Sequence, residues 1–153
     1  MTTCRLALLF CVLWAGGSGR GAEANPFWFE RFEDALRLAA RLDRPEVGVT
    51  FNLCHWLKVE GSERDPAPLL QAAKSRLMFV TINGADAGDT RTLRWDRLIQ
   101  PLGEGTYEVA AFLRKLRATG YSGPIGFQGY GIKAPPPEVL AKTMAAWQRM
   151  QAP

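Results

Sequence analysis

Patterns of hydrophobic residues alternate between helical and strand spacing through most of the chain, and this alternation limits the folds it can adopt. One helical pattern is followed by three rounds of a short apolar run and a further helical pattern. Short runs of continuous apolar residues are typical of strands buried on both faces, as in parallel sheets. Regular alternation of strand and helix favours parallel strands joined by right-handed crossovers. The sequence therefore predicts an α/β fold with about three parallel strands and four helices, arranged as an open doubly wound sheet or as part of a barrel.

The boundaries of the predicted elements follow from proline, glycine and capping residues as well as from periodicity. Asp65 and Pro66 open the second helix, and Gly120 lies just beyond the end of the third. The loop 83–105 is too long for a plain connector, and loops of this length are often functional. The strands are expected at 47–52, 78–82 and 124–128, and the helices at 32–42, 65–77, 107–119 and 138–150.

The first 24 residues differ from the rest of the chain. Arg5 supplies a short positive region, Leu6 to Ala15 form an apolar run, and Ala22-Glu23-Ala24 resembles a cleavage site. This order is typical of a secretory signal peptide. The apolar run is also too short to cross a bilayer, which needs about 20 residues. We therefore expect a signal peptide over 1–24, a mature domain over 25–153, no stable membrane span, and export to the periplasm or the medium. An uncleaved anchor or a misassigned start codon is the alternative.

Charge and cysteine content exclude several classes of protein. The net charge of +4 is modest and is spread along the chain, so we expect no nucleic acid as a partner. Cys4 and Cys11 fall inside the predicted signal peptide. The mature chain would then keep Cys54 alone and could form no intramolecular disulfide.

Polar side chains follow each predicted strand, at the carboxyl end where sites collect in both candidate architectures. Their amides, imidazole and ammonium suit the recognition of hydroxyl groups, with Trp56 as a stacking surface. His55 is the only histidine of the chain. A lone histidine is more often structural than catalytic, but the place of His55 just after a strand end makes the two roles about equally favoured. The predicted substrate-binding residues are Asn52, His55, Trp56, Lys58, Asn83 and Gln128, and the catalytic residues are left unassigned.

At these strand ends the sequence resembles the xylose isomerase-like TIM barrel family of sugar (phosphate) isomerases and epimerases. The resemblance is carried by the segments 47–55 and 79–83, the Gly103-Glu104-Gly105 loop, and the segment 120–128 with its Gly-Tyr-Ser-Gly turn. It covers about 27–150 and matches the last three strands of a barrel that has eight. The resemblance therefore implies a partial TIM barrel, produced by a deletion, a truncated gene model or a divergent short form.

The resemblance also implies where the metal of the family would bind. Family members hold a divalent ion such as Mn²⁺ or Mg²⁺ through Glu, Asp, His and Glu. Asn52 stands at the Asp position, Thr81 at the His position and Gln128 at the last Glu position, whereas His55 matches a histidine that contacts substrate. Hard or borderline divalent ions prefer carboxylates and imidazole to neutral amides and hydroxyls. We therefore predict no metal ligand and no cofactor.

The function implied by the resemblance is that of a sugar (phosphate) isomerase or epimerase, divergent or truncated, with a small sugar or polyol as its partner. A non-catalytic carbohydrate-binding protein and an inactive remnant are the alternatives. Three strands cannot close a barrel, and an open edge exposes unpaired backbone groups. We therefore expect helices over one face of the sheet, an apolar and poorly covered inner face, and self-association that covers this face.

Overall fold

The computed structural model describes residues 31–151, and the predicted signal peptide over 1–24 lies outside them. The described elements form one three-stranded parallel sheet in the order β1-β2-β3, flanked by helices. The predicted α/β fold with three parallel strands is confirmed. In chain order the elements are α1 (Phe32–Leu42), β1 (Val49–Asn52), α2 (Leu53–Glu60), α3 (Ala67–Ala73), β2 (Leu77–Ile82), α4 (Trp95–Leu98), α5 (Val109–Ala118), β3 (Ile125–Phe127) and α6 (Pro136–Gln151).

Two of these helices, α2 and α4, were not predicted, so residues 31–151 contain six helices rather than four. Helix α2 begins directly after β1, with no glycine or proline between them. The side chain of Asn52 caps it by accepting a hydrogen bond from the backbone N–H of His55 at 3.4 Å. Helix α4 is a single turn inside the long loop 83–105. Periodicity is uninformative for elements as short as these.

The outer face of the sheet is the apolar face and carries the hydrophobic core. Phe51 of β1 lies opposite Val80 of β2, which pairs in turn with Ile125 of β3. Phe51 is fully buried and contacts Phe32 of α1 and Phe112 of α5, with ring centroids 5.2 Å and 5.3 Å away. Complete burial of a side chain of this size contributes about 1.5–3 kcal/mol. These contacts hold α1 and α5 against the sheet.

The inner face of the sheet is half-buried and mostly polar, which corrects the prediction that it would be apolar. Alternation along the strands places Thr50 opposite Phe79, and Asn52 opposite Thr81. Phe79 is the apolar exception, and its ring lies against Gly126 of β3. A Cβ at that position would approach the Phe79 ring to 2.7 Å, so the contact requires glycine. Most of the apolar residues in the runs on which the prediction rested lie on the outer face.

The described helices also bear on the prediction that the chain has no stable membrane span. Within residues 31–151, no helix combines the length and the apolar character that crossing a membrane requires.

Candidate functional site

Three neutral polar side chains lie on the inner face at the carboxyl ends of the three strands. Asn52 lies directly opposite Thr81, and Thr81 lies opposite Gly126. Gln128 follows two residues later, so alternation places it on the same face as Gly126. Its backbone N–H continues the ladder by donating to the carbonyl oxygen of Ile82 at 2.9 Å. We call Asn52, Thr81 and Gln128 the inner row.

Asn52 uses its carbonyl oxygen to organise the turn from β1 into α2. This oxygen accepts a hydrogen bond from the thiol of Cys54 at 3.0 Å and from the backbone N–H of His55. Burial raises the pKa of the Cys54 thiol to about 12, so the thiol stays protonated and donates. The Asn52 amide nitrogen has no hydrogen-bond partner among residues 31–151 and is therefore left to donate to a ligand.

The inner face carries two buried hydroxyl groups that form no hydrogen bond within the described part of the chain. The hydroxyl oxygens of Thr50 and Thr81 are buried and have no partner within the described part of the chain. A buried polar atom without a partner costs about 1–3 kcal/mol. The inner face therefore carries a free-energy cost that the described residues do not offset.

A second group of side chains lies at the rim of the sheet, where α2 meets α4. His55 and Lys58 are three residues apart on α2 and therefore share one face of the helix. The His55 ring lies 5.1 Å from the Trp95 ring, and the Lys58 ammonium lies 5.8 Å from the centre of the same indole. Lys58 also donates to the carbonyl oxygen of Leu93 at 2.7 Å. We call His55, Lys58 and Trp95 the rim cluster.

His55 is the member of the rim cluster whose charge depends on pH near neutrality. Burial lowers the pKa of its imidazole below the ordinary value of 6.5. The ring is therefore neutral at pH 7, with one nitrogen able to donate a hydrogen bond and the other able to accept one.

Trp56, predicted to be the stacking surface, does not reach this site. It is 4% exposed, with its ring 5.6 Å from Phe51 and 5.4 Å from the guanidinium of Arg64, on the outer side of the sheet. The cause is the helical conformation of α2, in which successive residues point roughly 100° apart. His55 therefore faces the rim while Trp56 faces the core, and Trp95 supplies the aromatic surface of the site.

Asn83 is also placed differently from the prediction. It is completely buried, and its amide nitrogen donates to the carbonyl oxygens of Gly84 at 2.7 Å and Leu98 at 2.5 Å. Gly84 in turn pairs with Gln100 across an antiparallel bridge. Asn83 therefore fixes the loop 83–105 over the strand ends and does not face a ligand directly.

Trp95 is the site residue that sequence reasoning missed, although the unusual length of its loop was noted. Close contacts within the loop bring Trp95 against α2. Gly105 has a φ of +82°, and a Cβ there would lie 2.1 Å from the carbonyl oxygen of Ala85. Asp86 is paired with Arg97, which joins the two sides of the same loop. A tryptophan in a loop of unusual length was the available signal.

Comparison with known proteins places this site in a family. A family model described as a xylose isomerase-like TIM barrel matches residues 20–150, a range that spans all three strands. The chain belongs to this family. Both the resemblance inferred from the sequence and the partial barrel fold are thereby confirmed.

The similar proteins are all longer than this xylose isomerase-like chain. The 3-dehydroshikimate dehydratase of Pseudomonas putida is 28% identical over 108 residues, which make up 69% of this chain and 16% of the dehydratase. The structure of the IolI protein with a bound zinc atom has a TM-score of 0.63 at 18% identity, covering 78% of this chain and 42% of that one. D-psicose 3-epimerase from Clostridium cellulolyticum, solved with D-tagatose, has a TM-score of 0.58 at 13% identity, covering 82% and 44%. The chain spans less than half of each, and the two structural likenesses show the shared fold.

The residues present at the strand ends do not fit the divalent metal that the family resemblance implies. The positions that correspond to metal ligands hold Asn52, Thr81 and Gln128, none of which carries a negative charge or an imidazole. Across residues 31–151, no three His, Cys, Asp or Glu side chains converge to form a metal site. Amide and hydroxyl oxygens are weak ligands unless carboxylates accompany them. The groups present at these strand ends are neutral hydrogen-bond donors and acceptors.

Proposed function

We propose that this xylose isomerase-like domain binds a small, hydroxyl-rich molecule of the sugar or polyol class at the carboxyl ends of its strands, without a divalent metal. The observation that supports this best is the inner row of Asn52, Thr81 and Gln128. These side chains offer donors and acceptors with no net charge, which complement hydroxyl groups.

The chemistry of the site favours recognition over the metal-assisted catalysis of the family. An isomerase or epimerase moves a proton next to a carbonyl group and needs a base to take it. The inner row contains no base, and His55 of the rim cluster is neutral and able to accept a proton. We therefore propose a divergent family member in which His55 and Gln128 bind ligand through hydrogen bonds.

Metal-independent epimerisation with His55 as the base is the second candidate, favoured by the lowered pKa of that imidazole. The two candidates differ in whether product forms. Incubation with a panel of ketoses, followed by chromatography of the sugars, separates them. Turnover that disappears in His55→Gln, at unchanged affinity, would establish the second.

Calorimetric titration with uncharged hexoses and hexitols tests the binding function. We expect saturable binding that Gln128→Ala weakens about three- to tenfold, which is the effect of one lost hydrogen bond. Gln71→Ala, on the exposed face of α3, is the matched control and should bind as the wild type does. An absence of binding by the folded wild type to every sugar and polyol in the panel would contradict the proposal.

The metal part of the proposal has its own test, a titration with Mn²⁺. We expect affinity no tighter than millimolar, since neutral oxygens compete poorly with water for a divalent ion. Micromolar binding that Gln128→Ala abolishes would show that family metal chemistry survives at these strand ends.

We also propose that the protein is exported after cleavage behind Ala24, on the strength of the signal-like segment over 1–24. Sequencing the N-terminus of the mature protein tests this. Asn25 is the expected first residue, and retention of Met1 or Thr2 on a cytosolic product would refute export.

Self-association is the remaining proposal about partners. Within residues 31–151, the outer edges of β1 and β3 pair with no further strand. Leu140 and Met144, one turn apart on α6, are 55% and 52% exposed. Light scattering should give a mass above the 16.9 kDa of one chain. A monodisperse monomer with a cooperative thermal transition would rule self-association out.

A further inference from the structure

A cavity lies at the amino ends of the strands, at the opposite end of the sheet from the inner row. It is lined by residues of 43–48, 74–79 and 120–124, the segments that lead into β1, β2 and β3, and its volume is about 790 Å³. Among the described residues that line it, none belongs to the inner row or the rim cluster. Volumes of about 300–1,000 Å³ are typical of small-molecule sites. We call it the amino-end cavity.

Part of the lining of the amino-end cavity is apolar and adaptable. Val47, Met78, Phe79 and Tyr121 line it, and each is half-buried, so some of their apolar surface faces water. The thioether of methionine adjusts easily to ligands of different shape. Removal of this surface from water by the apolar body of a ligand is favourable.

The charged side chains of the lining carry more positive than negative charge. They are Lys74, Arg76 and Asp43. Arg76 lies 3.4 Å from Asp43, but the Asp43 side chain is 93% exposed, so water weakens this ion pair. Lys74 is exposed and has no ion-pair partner among residues 31–151. A negatively charged group in the cavity therefore meets two cations and one weakly placed acid.

We propose that the amino-end cavity binds an amphipathic organic acid, with its apolar body on the apolar lining and its carboxylate bonded to Arg76 and Lys74. Guanidinium and ammonium groups form charge-assisted hydrogen bonds with carboxylates. Reactions on TIM barrels take place at the carboxyl ends of the strands, so this is a second site, separate from the first. The inference does not depend on the proposed function, because it uses none of the strand-end side chains.

Arg76 is held in the cavity with hydrogen-bond donors to spare. Its Nη1 donates to the carbonyl oxygens of Arg44 at 3.3 Å and Val47 at 3.5 Å, and its Nη2 donates to Asp43. A guanidinium has five N–H donors, so the Nε hydrogen and one Nη2 hydrogen stay free for a ligand. The guanidinium is therefore oriented before a ligand arrives, which lowers the entropic cost of binding.

The segment 120–124 forms a wall of the cavity that is fixed by its own contacts. The Tyr121 hydroxyl donates to the carbonyl oxygen of Pro124 at 2.8 Å. A Cβ at position 123 would lie 2.6 Å from that hydroxyl oxygen, so the packing requires Gly123. The Pro124 carbonyl oxygen also accepts from the backbone N–H of Val80 at 3.2 Å. The wall is thereby tied to β2, which maintains the shape of the cavity.

A second copy of the chain is the competing occupant, since self-association is also proposed for this protein. A protein segment would cover the apolar lining whether or not it carried an acid. A small organic acid requires the two cations and leaves the mass of the protein unchanged. The charge of the ligand and the mass of the protein therefore distinguish the two occupants.

The experiment is a calorimetric titration of the full chain with octanoate, octanol and octylamine, which share one apolar body and differ in the charge of the end group. We expect octanoate to bind about tenfold tighter than octanol, and octylamine to bind more weakly than either. Hexanoate should bind about three- to tenfold more weakly than octanoate, because it buries less apolar surface. Arg76→Gln should erase the preference for octanoate over octanol and leave the affinity for octanol unchanged.

Three further variants serve as tests and controls. Ser122→Trp fills the cavity from an exposed position of its lining and should abolish octanoate binding, so the test stands even if Arg76→Gln does not fold. Lys133→Gln removes an exposed positive charge beyond the carboxyl end of β3 and should bind octanoate as the wild type does. Gln128→Ala, in the inner row, should also leave octanoate binding unchanged.

The other outcomes overturn the proposal. Equal affinity of the wild type for octanoate and octanol would show that the two cations do not bind the acid. Octanoate binding that Ser122→Trp leaves unchanged would place the acid elsewhere on the protein. If octanoate does not bind, and light scattering gives a dimer for the wild type and a monomer for Ser122→Trp, the cavity belongs to a second copy of the chain. Each of these results leaves the proposed binding at the strand ends unaffected.

Discussion

The imidazole of His55 and the indole of Trp95 lie with their ring centroids 5.1 Å apart, tilted by 50°. This contact joins the helix that follows the first strand to the loop that follows the second. It gives the rim of the partial barrel an aromatic surface next to a neutral histidine. Sugars commonly offer a face of C–H groups as well as hydroxyls, and the rim cluster and the inner row together match both.

Truncation of Trp95 should weaken ligand binding. Trp95→Ala removes the aromatic surface, and aromatic contacts contribute about 0.5–1.5 kcal/mol beyond their buried area. We expect the affinity for a hexose or hexitol to fall about three- to tenfold in a titration. Trp95→Phe keeps a ring in place and should retain most of the affinity. Equal affinity in wild type and Trp95→Ala would remove Trp95 from the site.

Truncation of Trp56 should lower the stability of the fold and leave the affinity for ligand unchanged. The side chain is buried in the core against Phe51, so Trp56→Ala leaves a cavity and should lower the free energy of unfolding by about 3–5 kcal/mol. The affinity of the fraction that remains folded should match that of the wild type. Urea denaturation and titration of the same sample measure the two quantities. A weakened affinity at full folding would restore Trp56 to the binding site.

Glu60 should contribute to stability through a buried ionic contact on the outer side. Its carboxylate side chain is 4% exposed and accepts hydrogen bonds from Arg31 Nε at 2.9 Å and Arg31 Nη2 at 3.1 Å, with Arg64 as a second partner. Glu60→Gln keeps the shape and removes the charge, and should lower the free energy of unfolding by about 1–2 kcal/mol. Glu46→Gln removes the charge from an exposed ion pair with Arg44 and should change the free energy of unfolding by less than about 0.5 kcal/mol. Equal losses of unfolding free energy for the two variants in denaturant melts would mean that the buried contact of Glu60 stabilises the fold no more than the exposed pair does.

The stability of the protein should depend on the protonation of His55. Burial lowers the pKa of this imidazole in the folded state, whereas the unfolded chain takes up the proton near 6.5. The unfolded state therefore binds more protons than the folded state in the interval between the two values, so stability rises with pH there. The contribution is fully present above about 6.5 and is lost as the pH falls through the folded pKa.

His55→Gln isolates this effect, because the acidic groups of the protein titrate equally in both chains. Thermal melts between pH 7.5 and pH 5 should show a smaller loss of stability in the variant than in the wild type. Parallel pH profiles for the two chains would show that His55 titrates with an unperturbed pKa.

The sequence predicted the strands and the strand-end residues well because both depend on local patterns. Continuous apolar runs identified β1 and β2, and the strand ends together with the family resemblance singled out Asn52, Thr81 and Gln128. The face on which they lie depends on register, which became known only from the pairing of Asn52 with Thr81. Sequence reasoning therefore identified the residues of the inner row but not the face of the sheet on which they lie.

The rim cluster could not be assembled from the sequence, for two physical reasons. Helix α2 follows β1 without a break, and an apolar run as short as Leu53–Leu57 does not distinguish helix from strand. Because of that ambiguity the sequence placed Trp56 at the site beside His55, whereas the helix directs Trp56 into the core. Trp95 reaches His55 only because Asn83, Gly84 and Gly105 fold the long loop through tertiary contacts, and such contacts leave no periodic signal.

Introducing the charges of the family ligands should create a metal site at the strand ends, where we predict that the wild type binds no divalent ion. The triple variant Asn52→Asp, Thr81→His, Gln128→Glu places two carboxylates and an imidazole on the inner face at the ends of three adjacent strands. These are ligands that Mn²⁺ accepts, and the two negative charges offset the cost of removing water from the ion. In a calorimetric titration the triple variant should bind Mn²⁺ at least about a hundredfold tighter than the wild type.

The matched control is a second triple variant, Asn52→Ala, Thr81→Ala, Gln128→Ala, which should bind Mn²⁺ no better than the wild type. Because Asp caps α2 as well as Asn does, the triple variant should keep the turn after β1. Failure of the folded triple variant to bind Mn²⁺ would show that the inner row does not have the spacing of a metal site. The lack of negative charge would then not be the reason why the wild type binds Mn²⁺ weakly.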